Sequence, residues 1–439
     1  MMRRFLGCFA LAVLVAACDS PIDTDPTASI DADVALTTAR GIELAMNGAY
    51  RQLQSGSLYG RQEQAFNDMY ADNLNFTGTF TGDREVSLRA ITPSNGEVGG
   101  MWSALYVGVN RANLILDALP TVSDLSDAQK AQYRGEALFL RGLYYSLLVK
   151  YYGGVPLVDK PHKGFDESMF AARSTQTETY AFIIKDLEES VTLLGAARSH
   201  GRATQGAANA LLARVYLEDG KYTQARDKAT LVINNTTYRL TTTFREIFTL
   251  KNNTESIFEL QFTVLNSNSL AFWFFPTPLG RLGFAPSPSL YDAFELGDTR
   301  RAASIKDTLN TRIGFKYYRI AQGDDNVPVL RLAEQHLIRA EANARLNAPP
   351  ATVHADINIV RKRAGLGDLD LAVTTQQAML DAVLQERRVE LAFEGHRFAD
   401  LRRHGKAQTV LGIAANKLLW PIPLYETDVN KNLVQNPGY

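Results

Sequence analysis

Residues 201–234 read GRATQGAANALLARVYLEDGKYTQARDKATLVIN. Leu212-Ala213-x-x-Tyr216 is followed by Gly220, Tyr222, Ala225 and Ala229. These spacings match a tetratricopeptide helix–turn–helix, in which small residues let two antiparallel helices approach closely. A helix pair is therefore expected over 206–233. Working outward, a second pair is expected at 330–363: LRLAEQHLIRAEANARL, then HADINIVRKR, joined by Asn347-Ala348-Pro349-Pro350. A third helical stretch covers 374–403. Upstream, 126–152 opens with Ser126 as an N-cap and stops at Gly153-Gly154 before Pro156. Its apolar positions nearly encircle it from Ala137 onward, which predicts a buried central helix. Gly100 to Leu119 and Leu36 to Leu53 complete the set. The expected fold is all-α, built of tetratricopeptide-like helix pairs. Their irregular spacing makes it a partly degenerate array, with few short strands.

Residues 238–320 break this pattern. They hold short β-like runs, Ser256 to Val264 among them, and many Asn, Ser, Pro and Gly. Within them, 270–290 reads LAFWFFPTPLGRLGFAPSPSL. This is a long loop region, and long loops in compact proteins often carry function. Candidate ligand contacts lie in two places. Residues 66–80, FNDMYADNLNFTGTF, read as a loop after the first helix and offer Asp72, Asn75 and Phe76. Residues 272–275 offer Trp273 and Phe275, beside Arg281. Flat aromatic faces stack on sugar rings, and Asn and Asp side chains hydrogen-bond hydroxyl groups. The competing reading of 272–275 is a buried strand or a surface that faces a protein partner. Trp102 reads as a core residue of its helix.

The chain has 439 residues, enough for a sizeable core without metals or disulfides. Lys+Arg is 46 and Asp+Glu is 47, a balance that gives no electrostatic reason to expect nucleic acid. The two cysteines, Cys8 and Cys18, exclude a disulfide framework and any thiol chemistry in the body. Residues 1–18 are MMRRFLGCFALAVLVAAC, with a basic start, an apolar run of secretory length and small residues before a cysteine. The expectation is a signal peptide over 1–17 and lipidation at Cys18. Ordinary secretion with a free thiol is the alternative. Cleavage leaves 439 − 17 = 422 residues with a charge of 44 − 47 = −3. The acidic stretch 18–35 reads as a flexible tether. No later stretch holds 18 consecutive apolar residues, so no further span is expected.

Chemistry-bearing motifs are scarce. There is no G-x-x-x-x-G-K-[ST], no G-x-S-x-G, no H-E-x-x-H and no Cys/His cluster. No cofactor or metal is expected. Gly323-Asp324-Asp325-Asn326 offers oxygen ligands for calcium, but reads as a polar turn before Val327-Pro328. The block Glu386, Arg387, Arg388, Glu390, Glu394, His396, Arg397, Asp400, Arg402, Arg403 invites a catalytic reading. Its i,i+4 steps and arginine forks fit structural ion pairs better.

These segments, in order, resemble the SusD/RagB family of outer-membrane nutrient-binding lipoproteins. The resemblance rests on several motifs. Trp102-x-x-x-Tyr106 comes with Asn110-x-x-Asn113, and 135–141 (GEALFLR) with 151–156 (YYGGVP). Gly201-Arg202-Ala203-Thr204 follows, then 331–334 (RLAE) with 339–342 (RAEA), the block at 386–403, and 419–423 (LWPIP) with 435–439 (QNPGY). Where family members often have RLAEMYL, this chain has Gln335 and His336, expected to be a surface change. The resemblance implies a helical body over 36–439, divided near 235, with a loop-rich ligand face. It implies an oligosaccharide or peptide ligand, a SusC-like TonB-dependent transporter as partner, and a lipid anchor at the outer membrane. The expected function is capture and delivery of an oligomeric nutrient without catalysis. A lipid-anchored hydrolase using loop carboxylates and a ligand-free helical envelope scaffold stand as alternatives.

Overall fold

The computed structural model describes residues 35–162, 167–199, 201–308 and 311–439. The signal segment, Cys18 and all but the last residue of the 18–35 stretch lie outside the described residues.

The helices of nine residues or more are α1 (Ala39–Leu53), α2 (Gln62–Tyr70), α3 (Gly96–Ala118), α4 (Asp127–Tyr152), α5 (Gln176–Leu193), α6 (Gln205–Glu218), α7 (Tyr222–Ile233), α8 (Leu332–Arg345), α9 (Pro350–Arg363) and α10 (Gln376–Glu390). Their starts are written in the sequence. Ser126 and Thr175 each close a capping box, with Gln129 and Glu178 three residues on. Asn95, Thr204 and Thr375 cap α3, α6 and α10 through their side-chain oxygens. Pro350 stands at the first turn of α9, where its missing N–H costs nothing.

Helices α3, α4, α5, α6 and α7 pack each on the next in chain order. Ala213 of α6 and Ala225 and Ala229 of α7 are all fully buried. The array then continues from α7 directly to α8, although residues 234–331 lie between them in the chain. Among the described residues that excursion holds five of the six strands: β2 (Ser256–Leu260), β3 (Phe284–Pro286), β4 (Ile305–Asp307), β5 (Arg312–Gly314) and β6 (Val327–Arg331). β2 pairs with β6 and β4 with β5, both antiparallel. β1 (Leu74–Phe76) lies outside the excursion and pairs with β3. The protein is thus an all-α, tetratricopeptide-like array with a loop-rich insertion. A continuous apolar core runs from Leu36 to Leu433, with Trp102 and Trp420 inside it.

Several expectations are corrected here. Residues 66–70 are not loop: they end α2, QEQAFNDMY, in which every residue is buried. The stretch 374–403 is two helices. α10 stops at Glu390, and a turn with Phe393 and Gly395 at positive φ leads into the helix Arg397–Arg403. A Cβ on Gly395 would collide with the Glu63 carbonyl, so the turn needs glycine. Gln335 and His336 are buried rather than superficial: Gln335 reaches the Ala210 carbonyl, and His336 Nδ1 lies 2.8 Å from Asp356. The run 272–275 is not a strand, because 270–274 form a short helix. Helix α5 went unread, although Thr175 and Glu178 mark its start.

Candidate functional site

The two loops singled out in the sequence are neighbours in space. β1 pairs with β3 in antiparallel register, with Leu74 opposite Pro286, Asn75 opposite Ala285 and Phe76 opposite Phe284. The pairing continues as the Thr77 N–H donates to the Gly283 carbonyl at 3.0 Å, and the Thr77 hydroxyl donates to Leu282. Past this sheet, the 77–83 segment lies against the 270–283 loop.

Trp273 occupies the centre of the contact. Its ring stacks on Phe284 at 5.0 Å and 17°, and it is only 8% exposed. Gly283 is required beside it, because any Cβ there would collide with the indole. Phe80 leans on Trp273 at 5.7 Å and is 41% exposed; Phe272, edge-on to the same indole, is 44% exposed. From below, the Arg61 guanidinium sits 4.7 Å from the indole centroid. It is ion-paired with Asp83 and Glu97. Burial pushes the Asp83 carboxyl up to about 6, against the opposing pull of Arg61. From outside, Arg281 lies 4.2 Å over the Phe80 ring and 5.7 Å from Trp273. The result is an aromatic shelf with two exposed rings, a buried supporting indole and an exposed cation at its rim.

The expected site residues divide among three places. Phe76, Trp273 and Arg281 come together around Phe284 and Phe80. Asn75 is exposed on β1 next to them. Asp72 turns to the other end of β1, where it accepts from Arg397 Nε at 2.7 Å and pairs with Arg388 at 3.0 Å. Burial pushes its carboxyl up, and Arg397 and Arg388 outweigh that and hold it low. Phe275 packs toward Phe315 at 6.2 Å, with Arg245 over the Phe315 ring. Phe80 and Arg61 are not among the expected contacts; Phe272 lies in the expected run 272–275 without being singled out there. Phe80 closes the quoted 66–80 segment and Phe272 opens the aromatic run. Arg61 carried no signal, because its role arises from contacts far along the chain.

The charged block is architecture. Arg331 spans Glu255, Glu390 and Glu394; Arg363 joins Glu255 to Glu390; Arg300 joins Asp298, Glu386 and Glu390. Lys316 pairs with Glu394, and burial brings its ammonium down to about 8. Arg387 and Arg403 share Asp400, and Arg403 also holds Glu341. His396 follows Gly395 in the turn, where burial and the surrounding cations push its imidazole well below the ordinary value. In the Gly323–Asn326 turn one carboxylate oxygen of each aspartate is engaged internally: Asp325 accepts from the Tyr318 and Arg319 N–H groups, and Asp324 pairs with Lys251.

Comparisons with known proteins agree with this architecture. A family profile described as starch-binding and associating with the outer membrane matches residues 22–217, and the SusD family profile matches residues 312–418. The chain is 25% identical to SusD-like protein P2 of Formosa agariphila over the whole of both chains. It is 25% identical to the starch-binding protein SusD of Bacteroides thetaiotaomicron, covering 79% of this chain and 80% of that one. A solved laminarin-binding SusD-like protein superposes with a TM-score of 0.83 at 28% identity, covering 92% of this chain and 100% of that one.

Proposed function

The chain belongs to the SusD/RagB family, and on that premise we propose that it is a surface lipoprotein that captures an oligomeric glycan. It delivers this glycan, unaltered, to a SusC-like TonB-dependent transporter in the outer membrane. The observation that carries the reading is the aromatic shelf: Phe80 and Phe272, each exposed and each packed against a buried Trp273. Exposed rings on a rigid support suit the apolar face of a sugar, and Asn75, exposed on β1, offers an amide suited to hydroxyl groups. Relatives named for binding starch and laminarin favour a carbohydrate over a peptide. Among the described residues no helix is long and apolar enough to cross a membrane. Attachment through a lipid on Cys18 supplies the membrane link.

Binding without turnover follows from what occupies the carboxylates. Those of the 386–403 block are tied to arginines inside the fold, and Asp72 is tied to Arg388 and Arg397. A shelf that must release its ligand to a transporter should bind with a Kd of about micromolar to millimolar. The test is calorimetric titration of the mature chain against a panel of oligosaccharides and peptides, with product analysis of each mixture after overnight incubation. Saturable glycan binding with intact ligand supports the proposal. Cleaved product at enzymatic turnover favours the hydrolase reading, and no ligand in the panel favours the scaffold. Copurification of a barrel transporter with the lipidated protein from detergent-solubilised membranes tests the partner.

A further inference from the structure

The charge state of the arginines around the shelf discriminates among glycans. Arg61, beneath Trp273, has its charge matched by Asp83 and Glu97. Arg281, above Phe80, is exposed, and among the described residues no carboxylate is paired with it. Arg84, exposed on the short helix that begins just after Phe80, donates only to the Gly78 carbonyl at 3.3 Å and likewise has no carboxylate partner. The acidic side chains of the same region already have partners of their own. Asp83 and Glu97 hold Arg61, and Glu85 accepts from Asn95 and Thr92. Arg281 at the rim of the shelf, which Asp83 reaches only through space, and Arg84 on the helix that follows Phe80 therefore have no ion-pair partner among the described residues, in a chain whose overall charge is −1.

We propose that the glycan captured on this shelf is acidic, bearing carboxylate or sulfate groups that the Arg281 and Arg84 guanidiniums receive while its sugar rings stack on Phe80 and Phe272. This rests on the glycan-capture reading and adds the charge of the ligand to it. The chemistry is direct. A guanidinium offers a planar fork of N–H donors matched to a carboxylate or sulfate, and an ion pair of this kind is stronger than a neutral hydrogen bond. Its position over the Phe80 face is also significant: stacking holds the fork flat and limits the rotamer freedom lost when an anion binds. Because both guanidiniums are exposed, their contribution is screened by salt, which gives the proposal a signature that stacking alone lacks.

The experiment is calorimetric titration of the full mature chain with three length-matched probes: an oligogalacturonate, a sulfated carrageenan oligosaccharide and a neutral laminarin oligosaccharide. Each is measured at about 50 mM and about 300 mM sodium chloride, which shortens the screening length from roughly 14 to roughly 6 Å. At low salt, one or both acidic probes should bind about tenfold or more tighter than the neutral one, and the advantage should shrink at high salt. The carboxylate and sulfate arms identify which anion is preferred. The double variant Arg84→Gln/Arg281→Gln should lose the acidic advantage and keep its thermal unfolding midpoint, since both side chains are exposed. Arg281→Lys, which keeps charge and loses the fork, should fall between. Neutral laminarin binding as tightly as the acidic probes overturns the proposal while leaving glycan capture standing. Acidic binding that survives the double variant unchanged also overturns it. Failure of every probe, at both salts, overturns this proposal and glycan capture together.

Discussion

Removing one cation from the buried charge network should unfasten the excursion from the helical array. Arg331, the last residue of β6, donates to Glu255 at 2.9 Å, to Glu390 at 2.5 Å and to both oxygens of Glu394 at 2.7 and 2.9 Å. It also donates to the Glu390 carbonyl at 2.8 Å. Arg331→Met keeps most of the side-chain volume and deletes the charge. Breaking a buried pair by removing one partner costs about 3–5 kcal/mol, because the other charge is left uncompensated. Here the three carboxylates are not orphaned. Glu390 keeps Arg363 and Arg300, Glu255 keeps Arg363, and Glu394 keeps Lys316. The expected cost is therefore at the low end, about 3 kcal/mol.

The pH dependence has a definite sign. Burial pushes the Glu390 and Glu394 carboxyls up, but the surrounding arginines and Lys316 outweigh it and hold both below the ordinary glutamate value of 4.5. Such groups contribute stability that is fully present above the unfolded value and lost as pH falls through the folded one. The wild type must then weaken on acidification below about 4.5. In Arg331→Met the same carboxyls are less depressed and take up protons at higher pH. The gap between wild type and variant should be widest near neutrality and narrow as pH falls. Urea unfolding, which adds no ions, measures this at several pH values, with unchanged slopes as the check that midpoints report stability. A neutral-pH cost under about 1 kcal/mol, or a gap that widens on acidification, refutes the network as a fastening.

Other predictions are briefer. Phe80→Ala removes an exposed ring of the shelf; the buried share is 100 − 41 = 59%, so its stability cost should be about 1–2 kcal/mol while glycan affinity falls several-fold by calorimetry. Trp273→Ala should weaken binding too, but with about 3–5 kcal/mol of stability lost, because the indole is the buried support. Ala213→Trp should overpack the buried surroundings of α6 and cost about 1–3 kcal/mol in urea unfolding. Cys18→Ser should abolish metabolic labelling with a palmitate analogue; equal labelling of the variant would exclude that residue as the lipid site.

What could be read from the sequence depended on where each residue's partners lie. The α6–α7 pair was legible because its partners are each other: Ala213, Ala225 and Ala229 announce a close crossing within one short stretch. The start and stop of α4 were legible for the same reason, with Ser126 and Gln129 capping each other and Gly153 at positive φ ending it. Helix α2 was not, because it is buried and polar at once. Asn67 accepts from the Phe398 N–H, Asp68 from the Phe393 and Gly395 N–H groups, and Glu63 holds Lys150 and the Tyr151 hydroxyl. Neither periodicity nor composition can reveal a helix whose hydrogen-bond partners arrive from 87 to 331 residues downstream. The same holds for Gln335 and His336, which look superficial until Ala210 and Asp356 are placed beside them.

The candidate site follows this division. Its chemistry, aromatic and amide-rich loops, was visible in 66–80 and 270–290. Its assembly was not, since the β1–β3 register joins Leu74 to Pro286 and only then sets Phe80 against Trp273. Asp72 shows why assembly decides function. Taken alone it is a loop carboxylate suited to hydroxyl groups or to catalysis. In the fold, Arg388 and Arg397 from the charged block claim it, and β1 is thereby pinned to the end of α10 and the turn beyond. The acidic residues most suggestive of chemistry are in this way spent on holding loops in place. The groups left facing outward are the rings of Phe80 and Phe272 and the unmatched guanidinium of Arg281. A surface so composed has stacking faces and a cation, and the acids Asp83 and Glu97 beneath it are paired with Arg61; that composition suits holding a sugar chain rather than cutting one.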